Sequence, residues 1–460
     1  MLVSLSSKIQ HITLPNGFQI IYEKPFNTIP ITSIQIFCNI GNIHSPPGLN
    51  GVTHFIEHMC FQGTRKYPNI KKVLKKYAEE GIEYNGTSTE RLTYYIVKCQ
   101  NTFVEKSIEY MGEELLNSLF EPSHFTKEEK VVVEENVRSE DEPDNILDIL
   151  TKQMLYENTQ FQYPTDDISY HTTKFNYKKV IDFYKQNYIP SNMVLSIVSS
   201  IDFQKIVNFV KKTQFGKKHK QSQQSQQSQQ SQSVHTQMLP TLMIPPLIHG
   251  VKYKIKQLKK INSIYFNMSF QVGNQYNLKE KYALSLLSNI LCNSYTSRLT
   301  SLLREKYGLV YGINAYTEFN ESGGSFTINT QFASGSFIKK GISVLPLIIK
   351  ELNLLIKKGI TKEELDLCKH NIQGHLLLEL ENIENQSLYN GIECVIFQDP
   401  TKIIPYSKLY DTCYKSITKE EIHLLIQKYF CLSRMCIAIV GNHIPPLSTV
   451  ARECNKLINK

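Results

Sequence analysis

The segment Gly51-Val52-Thr53-His54-Phe55-Ile56-Glu57-His58-Met59-Cys60 carries the densest chemistry in this 460-residue chain. If it is helical, His54 and His58 stand four residues apart and share one face. Two imidazoles at that spacing grip one zinc ion, and Glu57, three residues after His54, falls on the same side. In the order H-x-x-E-H, a glutamate so placed works on a water held by the metal. Two histidines leave zinc short, because a catalytic site takes three protein ligands and keeps a fourth position for water. The bland alternative is an amphipathic helix whose histidines are surface or satisfied core residues and whose Glu57 is a plain helix glutamate.

A third ligand is sought in Lys127-Glu128-Glu129-Lys130-Val131-Val132-Val133-Glu134-Glu135-Asn136. Val131 to Val133 read as a buried segment, so an acidic side chain beside them needs a reason. Glu128 and Glu135 lie seven residues apart, two helical turns on one face. A glutamate pair on the buried side of a helix is costly unless a cation compensates it. Taken without the histidines, Glu134 and Glu135 read equally as surface glutamates of a charged helix.

The elements that must position these groups follow from patterning. At 460 residues the chain exceeds one ordinary core, so two domains are expected. A hydrophobic content of 41% with 20% charged residues makes it globular, not disordered. No apolar run approaches the ~18 residues of a membrane span, and Met1–Gln10 has neither a secretory nor a transit pattern. Ten scattered cysteines without a C-x-x-C pair point to reduced thiols in a cytosol-like compartment. The net charge of +9 gathers at Lys211–Lys220 and Lys252–Lys260. Those runs flank a linker and have no recognition motif, which argues against nucleic acid as a partner.

Gln221 to Ser233 is a Gln/Ser repeat, followed by Pro240, Pro245 and Pro246. We therefore read 216–249 as a flexible linker between a domain at 1–215 and another at 250–460. The halves repeat one another. Thr126-Lys127-Glu128-Glu129 and Thr361-Lys362-Glu363-Glu364 each read as a capping box opening a helix. Near each end comes a tyrosine, a short gap and an apolar strand, at Tyr188…Met193 and Tyr429…Met435. In the first half, strands are expected at 18–22, 32–40, 84–88, 93–99 and 193–198. Helices are expected at 51–61, 70–80, 103–119, across 126–156 and near 177–186. Strands joined by tight turns and then runs of helices indicate an α+β class with antiparallel sheet.

On these residues the chain resembles the pitrilysin/insulysin family of zinc peptidases, the inverzincins. The likeness is to its short two-domain branch near mitochondrial processing peptidase and bacterial relatives. Leu14-Pro15-Asn16-Gly17, Gly63-Thr64-Arg65-Lys66-Tyr67-Pro68 and Tyr84-Asn85-Gly86-Thr87-Ser88 through Thr93-Tyr94-Tyr95 carry it across the first half. Gly86 stands where the family usually has alanine, and Gly41-Asn42-Ile43-His44-Ser45 departs from its Gly-Ser-Arg-x-Glu stretch. In the family the third ligand is a glutamate about 76 or 77 residues after the second histidine, with another glutamate seven residues before it. That register implies Glu135 as ligand and Glu128 as its supporting acid, with Glu134 the runner-up. Arg304 and Tyr311 match an Arg and a Tyr seven residues apart in the family's second half. The implied roles are substrate anchoring and a hydrogen bond to the scissile carbonyl oxygen.

The resemblance implies an α+β fold of two homologous domains in a clamshell, each a mostly antiparallel sheet packed against helices. It implies one zinc per chain, held by His54, His58 and Glu135, with Glu57 as general base, and cleavage within peptides or unfolded segments. Substrate is expected to add as a strand beside Asn85, Gly86, Thr87 and Ser88. The later half has no second H-x-x-E-H, so it is the non-catalytic one. A homodimer or a heterodimer is compatible with the family. The rival expectation is an inactive member serving as scaffold or partner subunit. The intact His54, Glu57, His58 and Glu135 argue against it, as does the lack of a glycine-rich loop.

Overall fold

The computed structural model describes residues 8–217, 243–338 and 342–458. Most of the expected linker, including the Gln/Ser repeat, lies outside the described residues. The chain forms two compact units. One gathers the described residues of Met1–Asn136, Ile168–Thr241 and His375–Leu409, the other those of Val137–Asp167, Leu242–Gly374 and Tyr410–Lys460.

The first unit is built on six strands: β1 (Gln10–Thr13), β2 (Gln19–Glu23), β3 (Ile31–Cys38), β4 (Glu83–Ser88), β5 (Thr93–Gln100) and β6 (Met193–Val198). Their order is β1-β2-β6-β3-β5-β4, which leaves β4 at an edge. All neighbours are antiparallel except β2 and β6. Strand β3 shows how alternation divides the faces. Ile34, Ile36 and Cys38 enter a core with α1 (Val52–Cys60), α2 (Ile70–Glu80), α3 (Val104–Leu116) and α4 (Pro122–Ser139), through Phe55, Tyr77, Ile108 and Val132. Ser33, Gln35 and Phe37 face the other way, onto the helix Ile383–Phe397. That helix comes from the far half of the sequence. Its Gly391 sits so close that an added Cβ would lie 2.0 Å from the Phe37 ring.

The second unit has β7 (Lys252–Gln257), β8 (Ser263–Val272), β9 (Val310–Phe319), β10 (Gly324–Ala333) and β11 (Cys436–Gly441), in the order β7-β11-β8-β10-β9. Here too one pair, β7 and β11, is parallel. Its sheet receives α5 (Pro143–Leu155) from the first half. Asn267 Nδ2 donates to Thr151 Oγ1 at 3.1 Å, and Gln271 Nε2 to the Leu155 carbonyl at 2.8 Å. The sheets thus fall on either side of the expected linker, while each unit takes one helix from the opposite half of the sequence.

Several local expectations change. The stretch 126–156 is two helices, broken at 140–142 ahead of Pro143, which takes the first-turn position that proline favours. Thr126 does not cap α4; the helix starts earlier, at Pro122, and the Thr126 hydroxyl donates to the Pro122 carbonyl at 3.1 Å. The sister box is formed. Glu364 N–H donates to Thr361 Oγ1 at 3.1 Å and Thr361 N–H to Glu364 Oε2 at 2.7 Å. Strand β1 was not expected, and each sheet is mixed.

Two outcomes test this packing. Gly391→Ala forces a methyl into Phe37 and is expected to cost about 1–3 kcal/mol in urea unfolding, as overpacking does; an unchanged midpoint would mean that the helix sits looser than described. Glu114 on α3 accepts the Tyr77 hydroxyl at 3.1 Å, and burial pushes its carboxyl up from 4.5 to about 8. The folded chain therefore holds this proton more tightly than the unfolded one. Its contribution to stability is full below about pH 4.5 and is lost as pH rises to about 8, at up to about 1.4 kcal/mol per pH unit. Unfolding curves of Glu114→Gln recorded across that range should lose this part of the slope.

Candidate metal centre

Helix α1 begins at Gly51, whose φ of 82° is left-handed and suits glycine. The following residues alternate at helical period. Phe55, Ile56 and Met59 are buried in the core, which leaves His54 and His58 on the flank. The two rings meet edge to face, with centroids 4.9 Å apart. Helix α4 supplies the partner carboxylates. It buries Phe125, Glu128, Val132 and Asn136 and presents Glu135 at its surface. Of the three valines expected to be buried, only Val132 is; Val131 is 38% exposed, because the helical period turns it outward.

The structure brings together His54, His58 and Glu135. Glu135 Oε2 is 3.2 Å from His58 Nε2 and 3.9 Å from His54 Nε2, and one ligand atom from each residue lies within 4.8 Å of the others. Glu134 is not in this group. Donors 2.0–2.1 Å from a tetrahedral zinc ion are about 3.3 Å apart, and the observed separations bracket that value. Two imidazole nitrogens and one carboxylate form the donor set of known catalytic zinc sites. The residues therefore fit the ion.

The surroundings prepare these donors. His58 Nδ1 donates to the buried Glu128 at 3.4 Å, which fixes the tautomer and leaves Nε2 for Glu135's side. Burial drives His54 down to about 4, helped by the charge of His58, which favours the neutral imidazole that a metal would need. Burial also acts to lower His58, but hydrogen bonds and charge from Glu135, Glu57 and Glu128 outweigh it, and the net shift is upward. That upward shift marks a place where positive charge is held.

Glu57 is buried at 8% exposure, and burial pushes it up to about 7. Ser88 hydrogen-bonds to it through side chain and backbone. The neighbouring Gly86 approaches so closely that an added Cβ would sit 2.5 Å from Glu57 Oε1. Edge strand β4, with Asn85, Gly86, Thr87 and Ser88, therefore lies directly against the carboxylate. Arg304 and Tyr311 lie in the second unit, where the guanidinium carbon is 5.6 Å from the Tyr311 ring centroid.

Sequence reasoning missed Asn136 and His171. Asn136 Nδ2 meets His171 Nδ1 at 2.7 Å, and the His171 charge acts on His54. The His171 ring also packs over Gly51, where a Cβ would lie 2.7 Å from it. Nothing in the spacing of His171, more than a hundred residues after His54, marks this meeting.

Two family profiles match, Insulinase (Peptidase family M16) over residues 24–167 and Peptidase M16 inactive domain over residues 174–372. The chain belongs to peptidase family M16. All five residues His54, Glu57, His58, Glu128 and Glu135 fall in the first match, and Arg304 and Tyr311 in the second. An uncharacterized zinc protease of Bacillus subtilis, YmxG, is 25% identical over 83% of this chain and 87% of its own length. The mitochondrial-processing peptidase subunit beta of Saccharomyces cerevisiae is also 25% identical, over 99% of this chain and 97% of its own. The crystal structure of a protease from Helicobacter pylori has the same fold, with a TM-score of 0.81 at 19% identity, covering 95% of this chain and 99% of that one. The His54, His58 and Glu135 group of this M16 chain thus lies within the part that matches the Insulinase profile.

If Glu128 orients His58, Glu128→Ala should lower zinc affinity roughly 10–100-fold, read by competition with a chelating dye. An affinity equal to the parent's would remove Glu128 from the site.

Proposed function

We propose that this M16 member is a zinc-dependent endopeptidase acting on peptides or unfolded segments. The observation that carries this reading is the meeting of His54 Nε2, His58 Nε2 and Glu135 Oε2 beside a buried Glu57. Bound by those three donors, zinc supplies Lewis acidity, acidifying a water and polarising a carbonyl.

The chain's own groups do the rest. Glu57 takes the proton from the attacking water on its carboxylate and returns it to the leaving amine. Its elevated pKa, about 7 through burial, suits a group that must both accept and release a proton near neutrality. Glu128 holds the His58 ring through Nδ1. Among the described residues, strand β4 has β5 on one side and no strand on the other, so an extended peptide can add along Asn85 to Ser88. Backbone pairing of that kind places a carbonyl without demanding particular side chains, which suits unfolded substrates. From the second unit, Arg304 and Tyr311 are the proposed substrate-anchoring and carbonyl-binding pair. No disulfide joins the ten cysteines, which fits a reducing compartment, and no described helix is long and apolar enough to cross a membrane.

Glu57→Gln is expected to keep stoichiometric zinc and lose cleavage of a mixed peptide library, while His58→Ala loses both. Equal cleavage by Glu57→Gln and the parent would end the peptidase reading in favour of a non-catalytic role.

A further inference from the structure

Within the second unit, Arg304 does not face Tyr311 alone. Its guanidinium carbon lies 5.6 Å from the ring centroid of Tyr311 and 5.6 Å from that of Tyr295. Both rings face solvent, with Tyr295 76% and Tyr311 90% exposed. Three elements supply the group: the loop after the helix Leu278–Leu291, the π-helical turn Ser301–Lys306 and the start of edge strand β9.

The loop bearing Tyr295 is fixed in place. Asn293 Nδ2 donates to the Ala315 carbonyl at 2.7 Å, and Asn293 Oδ1 accepts the Ala315 N–H at 2.9 Å. Ser301 Oγ donates to the Tyr295 carbonyl at 3.3 Å, and Ser297 Oγ to that of Ser294 at 2.6 Å. Asn293 thereby occupies the ladder positions of Ala315 on the outer side of β9. A strand cannot pair at that residue, so recognition on this surface falls to side chains.

Fold stability does not call for such a stack. An exposed cation–π contact adds little, and one ring suffices for it. Two solvent-facing tyrosines around one arginine have instead the composition of a binding hot spot. Two rings within 5.6 Å of the guanidinium carbon can hold its plane and leave its N–H edge to a carbonyl oxygen. The exposed Glu305, 3.4 Å from Arg304 Nε, is a solvent-screened neighbour that an incoming peptide can displace.

We propose that Tyr295, Arg304 and Tyr311 form one clamp for an extended polypeptide, with Tyr295 positioning the guanidinium that donates to a peptide carbonyl. The proposal rests on the peptidase reading above and adds Tyr295 to its substrate-binding surface. The test measures binding of a labelled unstructured peptide to the zinc-loaded full chain carrying Glu57→Gln, by fluorescence anisotropy. Adding Tyr295→Ala should raise Kd about five- to thirtyfold, because the bound peptide desolvates the stack. Adding Tyr295→Phe, which keeps the ring, should stay within about twofold of the parent. Zinc content and melting temperature serve as controls and should not move. An unchanged Kd in Tyr295→Ala overturns the clamp, as does equal loss in the Ala and Phe variants or no peptide binding by any of the chains. Turnover by the chain with Glu57 is read separately. Its absence counts against the peptidase reading, whereas the Tyr295 comparison decides the clamp.

Discussion

Three carboxylates gather around one imidazole in the first unit, and that charge arrangement governs the design. Glu57 and Glu128 are buried, and with Glu135 they all act on His58. Removing carboxylates from water is unfavourable unless a cation or a proton balances them. The upward shift of His58 reflects that need, and a divalent ion held by His54, His58 and Glu135 would supply the balancing positive charge more fully. Burial raises Glu57 to about 7, with the Glu135 charge adding to the rise and His58 opposing it, so in the proposed reaction one buried, charged setting would serve both metal holding and proton transfer.

The frame around this centre is made from distant parts of the chain. α1 and α4 are clamped by a shared core in which the Phe55 ring meets Phe125 edge to face and stacks on Phe175, both with centroids 4.7 Å apart. β4 lies so close to Glu57 that a Cβ at position 86 would sit 2.5 Å from its carboxylate oxygen unless the side chain shifted. On the opposite face of the sheet, the helix Ile383–Phe397 seals β3 through Ser387 and Gly391. The second unit mirrors this with α5. An exchange of helices makes each unit depend on residues from both halves of the sequence. The duplicated order of elements, with one parallel strand pair in each sheet, extends the repeat read from the two tyrosine–strand motifs.

Local pattern made much of this legible. The i, i+4 histidines, the Asn-capped α2, the β4–β5 pair and the Thr361 box are all short-range signals, and they lie where such signals place them. The failures are of two kinds. At Thr126 the local Thr-x-x-Glu signal is overridden, because the helix already starts at Pro122, a residue suited to the first turn. The exchanged helices, the Asn136–His171 contact and the Tyr295–Arg304–Tyr311 stack depend on contacts that no spacing rule encodes. The choice between Glu134 and Glu135 was open to local reasoning and was narrowed by family register. In the structure it follows from which carboxylate the helix turns toward His58.

The proposed chemistry depends on where the ion sits. Crystals of the zinc-loaded chain, measured on both sides of the zinc absorption edge, should show one anomalous peak among His54 Nε2, His58 Nε2 and Glu135 Oε2, with Glu57 close by but not a ligand. A peak elsewhere, or one whose carboxylate ligand is Glu134 while Glu135 points away, would contradict it.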